Sequence, residues 1–235
     1  MANIALAALE SALRDKKLDR TLTTALPPLE QAADACAPTG VAAVDACLRN
    51  GMPRGQVSEL AGPRSAGGTT LLLQMLAAAT QRGELVAIVD TFDRLDVASL
   101  ATAGADLGRV LWIRGQATGA AEWAVDRAFK ALNLVLQAGG FGFVAIDLAD
   151  VPARMLRAIP FTTWLRVQRG VEGRDTACAL LVPEPVSRSA GGLTLTLTGR
   201  TEWTGTSARP RMAGAQLRMR VVSPRRRVDG DVPLR

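Results

Sequence analysis

Between residues 56 and 182 the chain alternates short apolar runs with longer segments of helical periodicity. Runs that are apolar on both faces, each followed by a helix, are typical of a parallel sheet covered on both sides. We therefore predict an α/β fold with a mostly parallel, twisted sheet and helices on both faces. The expected strands are 56–60, 85–90, 109–113, 141–147 and 177–182, and the expected helices are 69–81, 94–104, 120–138 and 152–170, the last interrupted at Pro160.

The two ends of the chain follow other patterns. Residues 193–198 and 216–222 alternate apolar and polar side chains, so we expect an antiparallel C-terminal edge to the sheet. Residues 2–13 have the apolar stripe of a short helix, and the proline-containing stretch 22–40 indicates a linker. The predicted organisation is an N-terminal helix and linker for interaction at 1–38, a core at 39–222, and a basic, flexible tail at 223–235.

Composition excludes several classes of site. The chain has no histidine, which excludes Ser-His-Asp hydrolysis and histidine-bound metals. Its three scattered cysteines argue against a disulfide framework or a four-ligand zinc site, so we expect no metal. No apolar run reaches the roughly 18–20 residues of a membrane span, and the N-terminus lacks a basic region before its apolar part. We expect a cytoplasmic protein without a membrane partner.

The net charge of +6 is concentrated at the C-terminal end. Residues 200–235 contain nine arginines against three carboxylates. Such a stretch indicates a polyanion or an acidic partner, and a weak DNA contact is one candidate. The alternative is that these arginines only occupy solvated edges, and the lack of interleaved aromatics weakens the case for single-strand binding. The candidate polyanion-binding residues are Arg218, Arg220, Arg225, Arg226 and Arg227.

The stretch "AGPRSAGGTT", residues 61–70, joins an expected strand to an expected helix. A phosphate-binding loop has the form G-x-x-x-x-G-K-[ST], in which backbone amides wrap the phosphates and the lysine neutralises them. Gly62, Gly67 and Thr69 occupy the fixed positions, but Gly68 stands where the lysine belongs. The run "FVAID" ends in Asp147, as does a magnesium-orienting strand of this type of site. The spacing predicts a degenerate nucleotide site.

Loss of the lysine has an energetic consequence. Charge-assisted contacts are worth about 1.5–3 kcal/mol, so ATP binding should fall by roughly 10- to 100-fold. Arg64 is a candidate substitute charge within the loop, although its position normally points outward. We therefore expect no cofactor, with ATP binding weak or absent.

The segment "TGVAAVDACLRNGMPRGQVSELAGPRSAGGTTLLLQMLAAAT" resembles the RecA recombinase core, and the likeness continues through "LVAIVDTFDRLD" and "FVAID". This resemblance implies a RecA-like fold. It also places Phe92 at the catalytic glutamate, Ser99 at the adenine-stacking tyrosine, and "PEPVSR" where a glutamine senses the γ-phosphate. With Gly68 these are four losses, so the resemblance implies a non-catalytic protein. The degenerate site positions are Gly62, Arg64, Gly67, Gly68, Thr69, Thr70, Phe92 and Asp147.

Within RecA-like proteins, the motifs "VSRSAGGLTLTL", Trp203 and "QLRMRVVSPRRR" are similar to the ImuA family. That resemblance implies an adaptor in SOS-induced translesion mutagenesis, with RecA and ImuB as partners and a DnaE-type error-prone polymerase reached indirectly. RecA protomers associate head to tail, a heterologous contact that can propagate or end a filament. The expected docking residues are Leu6, Leu9 and Leu13 on the N-terminal stripe and Val110 and Ile113 on the core edge.

Two alternatives remain open at this point. SulA, a cell-division inhibitor that binds FtsZ, is also a RecA-like fold without a working ATP site. The long basic tail and the better preserved loop favour the ImuA family. The second alternative is a weak residual ATPase that uses Arg64, Thr69 and Asp147.

Overall fold

The computed structural model describes residues 36–48, 50–116, 118–186, 192–206, 209–223 and 226–234. Eight strands form one sheet in the order β10-β9-β8-β3-β7-β6-β4-β5, and the short strands β1 (Cys36–Ala37) and β2 (Met52–Pro53) pair separately. The main-sheet strands are β3 (Val57–Ala61), β4 (Val86–Asp90), β5 (Val110–Arg114), β6 (Phe143–Asp147), β7 (Ala177–Val182), β8 (Thr194–Thr206), β9 (Arg209–Ser223) and β10 (Arg226–Leu234).

The strands from β3 to β7 are parallel, and β8 also pairs with β3 in parallel before it turns back into antiparallel β9. Parallel neighbours require crossover helices, which the chain supplies. The helices are α1 (Ala42–Leu48), α2 (Gly68–Gln81), α3 (Val97–Thr102), α4 (Ala121–Ala138), α5 (Ala153–Ala158) and α6 (Phe161–Val171). The predicted α/β architecture with an antiparallel C-terminal edge is confirmed.

Each face of the sheet has its own apolar core. Successive strand residues point to opposite faces, so Leu60 joins one cluster while Val57 and Ala61 join the other. Leucines of α2 cover the first face, and Phe129 and Leu132 of α4 help to cover the second. These continuous apolar strands are therefore buried on both sides, as the sequence predicted.

A proline separates the two helices that follow β6. The sequence predicts an interruption at Pro160. In the structure α5 ends at Ala158 and α6 begins at Phe161. Proline lacks an N–H donor and disfavours helical geometry at the preceding residue, and Ile159 is accordingly extended.

The C-terminal end differs from the sequence expectation. A flexible tail was expected from residue 223, but Arg226–Leu234 forms β10 and pairs antiparallel with β9. The register sets Val228 opposite Val221 and Val232 opposite Leu217. The apolar residues of this strand are spaced among charged ones, so its sequence carries no clear strand pattern.

A local hydrogen-bonded arrangement lies near the start of α1. The side chain of Asp45 in α1 accepts hydrogen bonds from the backbone N–H and the hydroxyl of Thr39, both at 2.8 Å. The predicted N-terminal stripe of Leu6, Leu9 and Leu13 lies outside the described residues. No helix in the described part of the chain is long and apolar enough to cross a membrane.

Candidate functional site

The loop of interest lies between β3 and α2. Residues Arg64–Ala66 form a single 3-10 turn, closed by a hydrogen bond from the Ala66 N–H to the Pro63 carbonyl at 2.9 Å. Gly67 then takes a left-handed conformation, with φ 78°, and α2 begins at Gly68. A left-handed residue at this point favours glycine because other residues meet steric strain there. The strand–loop–helix context predicted for a phosphate-binding loop is therefore present.

The space beside the lysine position is closed by apolar side chains. A Cβ atom at position 68 would lie 2.8 Å from Cδ1 of Leu181 and 3.5 Å from Cδ1 of Leu197. Both leucines are buried, Leu181 on β7 and Leu197 on β8. A lysine here would have to push aside the end of the Leu181 side chain, while Leu197 would stay at an ordinary contact distance. The absence of a lysine is visible in the sequence, but the leucines beside Gly68 come from distant strands and are not.

Strand β8 also approaches the loop with its backbone. A side chain at Gly62 would overlap the carbonyl oxygen of Leu197. From the other direction, a Cβ atom at Gly199 would lie 2.9 Å from Cα of Ala66 and 3.0 Å from the carbonyl oxygen of Ser65. Glycine at both positions permits this contact, so loop and strand pack as one unit.

The guanidinium group of Arg64 pairs with a carboxylate outside the loop. Arg64 forms an ion pair with Asp150, which also lies 3.7 Å from Nε of Arg94. The Arg64 side chain is 69% exposed and the Asp150 side chain 20%. Asp150 was not singled out in the sequence, because nothing local indicates that the turn after β6 faces the loop. Thr69 and Thr70 are exposed in the first turn of α2.

Asp147 ends β6 as expected and lies in register with Asp90 at the end of β4. Burial raises the pKa of Asp147 to about 6, and the charges of Asp90 and Asp150 add to this effect. A hydrogen bond from the Ala149 N–H, at 2.9 Å, and the Arg64 charge act in the opposite direction. Among the described residues, no group of three or more acidic or cysteine side chains is arranged to hold a metal ion.

The carboxylate of Asp90 is hydrogen-bonded to other groups of the protein. Its two carboxylate oxygens accept hydrogen bonds from the N–H groups of Arg94, at 2.9 Å, and Leu95, at 2.8 Å. The indole of Trp112 donates a third, at 3.1 Å. This carboxylate is therefore a strand-end cap.

The positions next to the loop also carry structural roles. Phe92 is partly buried and packs against the core under α4, so an apolar ring occupies the position matched to a catalytic glutamate. Asp96 caps α3: it accepts hydrogen bonds from the Ala98 N–H at 3.1 Å and the Ser99 hydroxyl at 2.5 Å. The hydrogen bond from Ser99 leads the effects that lower the pKa of Asp96.

The predicted docking edge is well separated from the loop. Strand β5, with Val110 and Ile113, is an outer strand of the sheet, and β4, β6 and β7 lie between it and β3. Both residues are partly buried, while Leu111 between them is 45% exposed.

The predicted polyanion-binding arginines are only partly described. Arg218 and Arg220 are exposed on β9 and alternate with buried Met219 and Val221. The register sets Arg218 opposite Asp231 and Arg220 opposite Asp229 on β10. Arg226 and Arg227 belong to β10, and Arg225 lies outside the described residues. Polyanion binding stays a prediction.

Comparison with known proteins identifies the family. A family model described as the RecA N-terminal domain matches residues 8–153, more than half of the chain. The chain belongs to the RecA N-terminal domain family. This RecA-like chain therefore carries the family's loop in altered form.

Curated relatives agree with this assignment. Protein RecA of Clavibacter michiganensis subsp. michiganensis is 32% identical over 142 residues, which cover 59% of this chain and 37% of the relative. Protein RecA of Methylococcus capsulatus is 34% identical over 111 residues, covering 47% and 30%. Protein RecA of Prochlorococcus marinus (strain MIT 9303) is 40% identical over 74 residues, covering 32% and 20%. The matches span less than half the length of these relatives.

Proposed function

We propose that this RecA-like chain is a non-catalytic adaptor of SOS-induced translesion mutagenesis, of the ImuA type. It binds RecA and ImuB, and reaches a DnaE-type error-prone polymerase through that complex. The observation that carries the proposal is the closed lysine position, where Gly68 faces the buried side chains of Leu181 and Leu197. A phosphate at this loop would lack a neutralising lysine, and the end of Leu181 would have to shift to admit one.

Three further features support the absence of catalysis at this site. Arg64 is paired with Asp150, so its use as a substitute cation would require breaking that ion pair. Phe92 supplies no carboxylate to activate water. The raised pKa of Asp147 makes this carboxyl group a poorer magnesium ligand near pH 6, because its protonated form is substantially populated there.

The partner surface in this proposal includes strand β5. An outer strand has unpaired backbone donors and acceptors on one side, which makes it a natural place for another chain to add. The exposed side chain of Leu111 adds an apolar contact to this edge. The second proposed docking element is the stripe of Leu6, Leu9 and Leu13 in the N-terminal segment. In this proposal the protein acts in the cytoplasm and the arginines of the C-terminal segment contribute at most a weak DNA contact.

Direct binding of the purified protein to RecA, with FtsZ as the comparison and without nucleotide, tests the proposal. Binding to RecA but not FtsZ, and separate binding to ImuB, are the expected results. Binding to FtsZ alone would assign the chain to the division-inhibitor class. A double variant, Leu6→Asp with Leu9→Asp, should weaken binding to RecA and ImuB; unchanged binding would remove the N-terminal stripe from the surface.

Catalysis needs its own test. We expect no ATP hydrolysis above the background of the preparation. Steady hydrolysis that Asp147→Asn abolishes would overturn the non-catalytic part of the proposal and favour a residual ATPase.

A further inference from the structure

A cavity of about 240 Å³ lies between the carboxyl ends of β4 and β5 and the adjoining face of α4. Its apolar wall includes Val89 and Ile113 from the two strands and Ala124, Ala128 and Ala131 from the helix. The alanines leave room that larger residues would fill. This cavity is distinct from the altered loop after β3, which lies on the other side of β6 and β7.

One cation in the lining of this cavity has no acidic partner. Arg127 of α4 holds its guanidinium carbon 4.5 Å from the ring centre of Trp123. The part of the chain that the structure describes contains no carboxylate within ion-pair distance of Arg127. Stacking uses the face of a guanidinium and leaves its N–H edge able to bind a carboxylate with two hydrogen bonds.

The other charged residues in the lining are engaged. Arg114 donates two hydrogen bonds to Asp93, at 2.8 and 2.7 Å, and stacks over Trp112 at 4.5 Å. The carboxylate of Asp90 accepts the three hydrogen bonds described above. Arg114 is therefore not free to bind the same anion, and the hydrogen bonds to Asp90 offset part of the repulsion that its charge exerts on an anion in the cavity.

Thr91 contributes a buried, unpaired hydroxyl group to the wall of the cavity. It lines the cavity, is 1% exposed, and its hydroxyl has no hydrogen-bond partner among the described residues. Buried hydroxyl groups are normally paired, so the unpaired Thr91 hydroxyl is an unused hydrogen-bonding group within this wall. The wall here is tightly built, because a side chain at Gly115 would overlap the Thr91 carbonyl oxygen.

From these features we infer that the cavity binds a carboxylate carried on a short apolar body, with Arg127 as the anion-binding residue. The volume is below the roughly 300–1,000 Å³ typical of pockets for drug-sized ligands, so a nucleotide would not fit. A small aliphatic acid and a glutamate side chain flanked by apolar residues share the required chemistry. The inference does not rest on the proposed adaptor role, since neither ligand requires RecA or ImuB.

An NMR titration of the full chain tests this inference, with the Trp123 indole N–H signal as the local probe. The small-acid probe is 4-methylpentanoate, and 4-methylpentanamide is its uncharged match. The peptide probe is acetyl-Leu-Glu-Leu amide, compared with acetyl-Leu-Gln-Leu amide. The variant Arg127→Gln removes the cation, and Lys130→Gln, on the same helix and outside the cavity lining, is the matched control.

We expect saturable binding of at least one acidic probe, about tenfold or more tighter than its amide match. Arg127→Gln should abolish that preference, and Lys130→Gln should keep it. Tighter binding of the peptide would identify a partner side chain as the source, and binding of the small acid alone would identify a free metabolite. Absence of saturable shifts with both acidic probes, or the same preference in Arg127→Gln, would overturn the inference.

Discussion

The carbonyl oxygen of Leu197 occupies the place that a side chain at Gly62 would need. The contact joins the loop after β3 to the backbone of β8, so neither side can yield by rotating a side chain. Gly62→Ala should lower the free energy of unfolding by about 1–3 kcal/mol or more, the usual cost of overpacking. Urea unfolding measures this change.

Gly170→Ala is the matched control for that substitution. Gly170 lies in α6, and a Cβ atom there would meet Leu136 at 3.4 Å, an ordinary contact distance. Alanine also favours a helix interior over glycine by about 1 kcal/mol. We expect this variant to be neutral or stabilised; equal losses in both variants would contradict the close approach at Gly62.

Restoring the lysine should not restore nucleotide binding. In Gly68→Lys the new side chain must first push aside the end of the buried Leu181 side chain, so we expect no saturable binding of a fluorescent ATP analogue at micromolar concentrations. RecA serves as the positive control. Micromolar binding by the single variant would show that the missing charge alone had disabled the loop.

The carboxyl group of Asp147 should make stability fall as pH rises. Its pKa is raised from 3.8 to about 6, chiefly by burial, so the folded chain holds this proton more tightly than the unfolded chain does. The stabilising effect of protonation is present below pH 4 and is lost by pH 6. Above pH 6 the ionised group costs up to roughly 3 kcal/mol, from about 1.36 kcal/mol per pKa unit.

Asp147→Asn should therefore raise the free energy of unfolding above pH 6, with a gain that shrinks toward pH 4. Asparagine keeps an oxygen to accept the Ala149 N–H. Urea unfolding at four pH values between 4 and 7.5 measures the trend. A variant that is less stable than the wild type at pH 7.5 would contradict the buried, unfavourable carboxylate.

Glu84 should show the opposite dependence on pH. Burial on its own would raise the pKa of this group, but hydrogen bonds from Arg82 and Arg54, both at 2.8 Å, outweigh burial and lower the pKa below 4.5. Its stabilising effect is present above pH 4.5 and is lost as pH falls through the lowered pKa. Glu84→Gln should cost about 1–3 kcal/mol at pH 7.

The deficit of Glu84→Gln should shrink as the pH is lowered below 4.5, because the wild-type carboxylate is then protonated too. Arg54 also donates to the carbonyl oxygens of Gly142 and Asp175. Its guanidinium group therefore links the loops that contain Glu84, Gly142 and Asp175. The urea series used for Asp147→Asn, extended to pH values well below 4, measures this deficit, and parallel curves for both variants would contradict the assigned signs.

The outer strand β5 can be tested as a partner surface. Leu111→Asp places a charge on an exposed position of this edge and should weaken binding to RecA and ImuB by about tenfold or more. Leu134→Asp, at a residue that is 66% exposed on α4, is the control and should leave binding unchanged. Equal binding by both variants would exclude the edge from the interface.

Much of the fold could be predicted because the signals are local. The strand 177–182 was predicted to the residue, and Gly62, Gly67 and Gly68 were placed correctly in a strand–loop–helix unit. Side-chain alternation, helical periodicity and turn residues each involve only a few neighbouring positions. They can therefore be recognised from the amino-acid sequence alone. Strand β10 was missed because its apolar residues are spaced among charges and its partner strand supplies the other half of the pattern.

The sequence alone determined that this is a parallel α/β chain with a phosphate-type loop that lacks its lysine. Only the tertiary structure decided what occupies that position: Leu181 and Leu197 meet beside Gly68 because β7 and β8 both pair with β3. The same holds for the pairing of Arg64 with Asp150 and for the cavity beside Arg127. Such contacts depend on which distant strands become neighbours, a choice made by the packing of the whole core and not by any local run of residues.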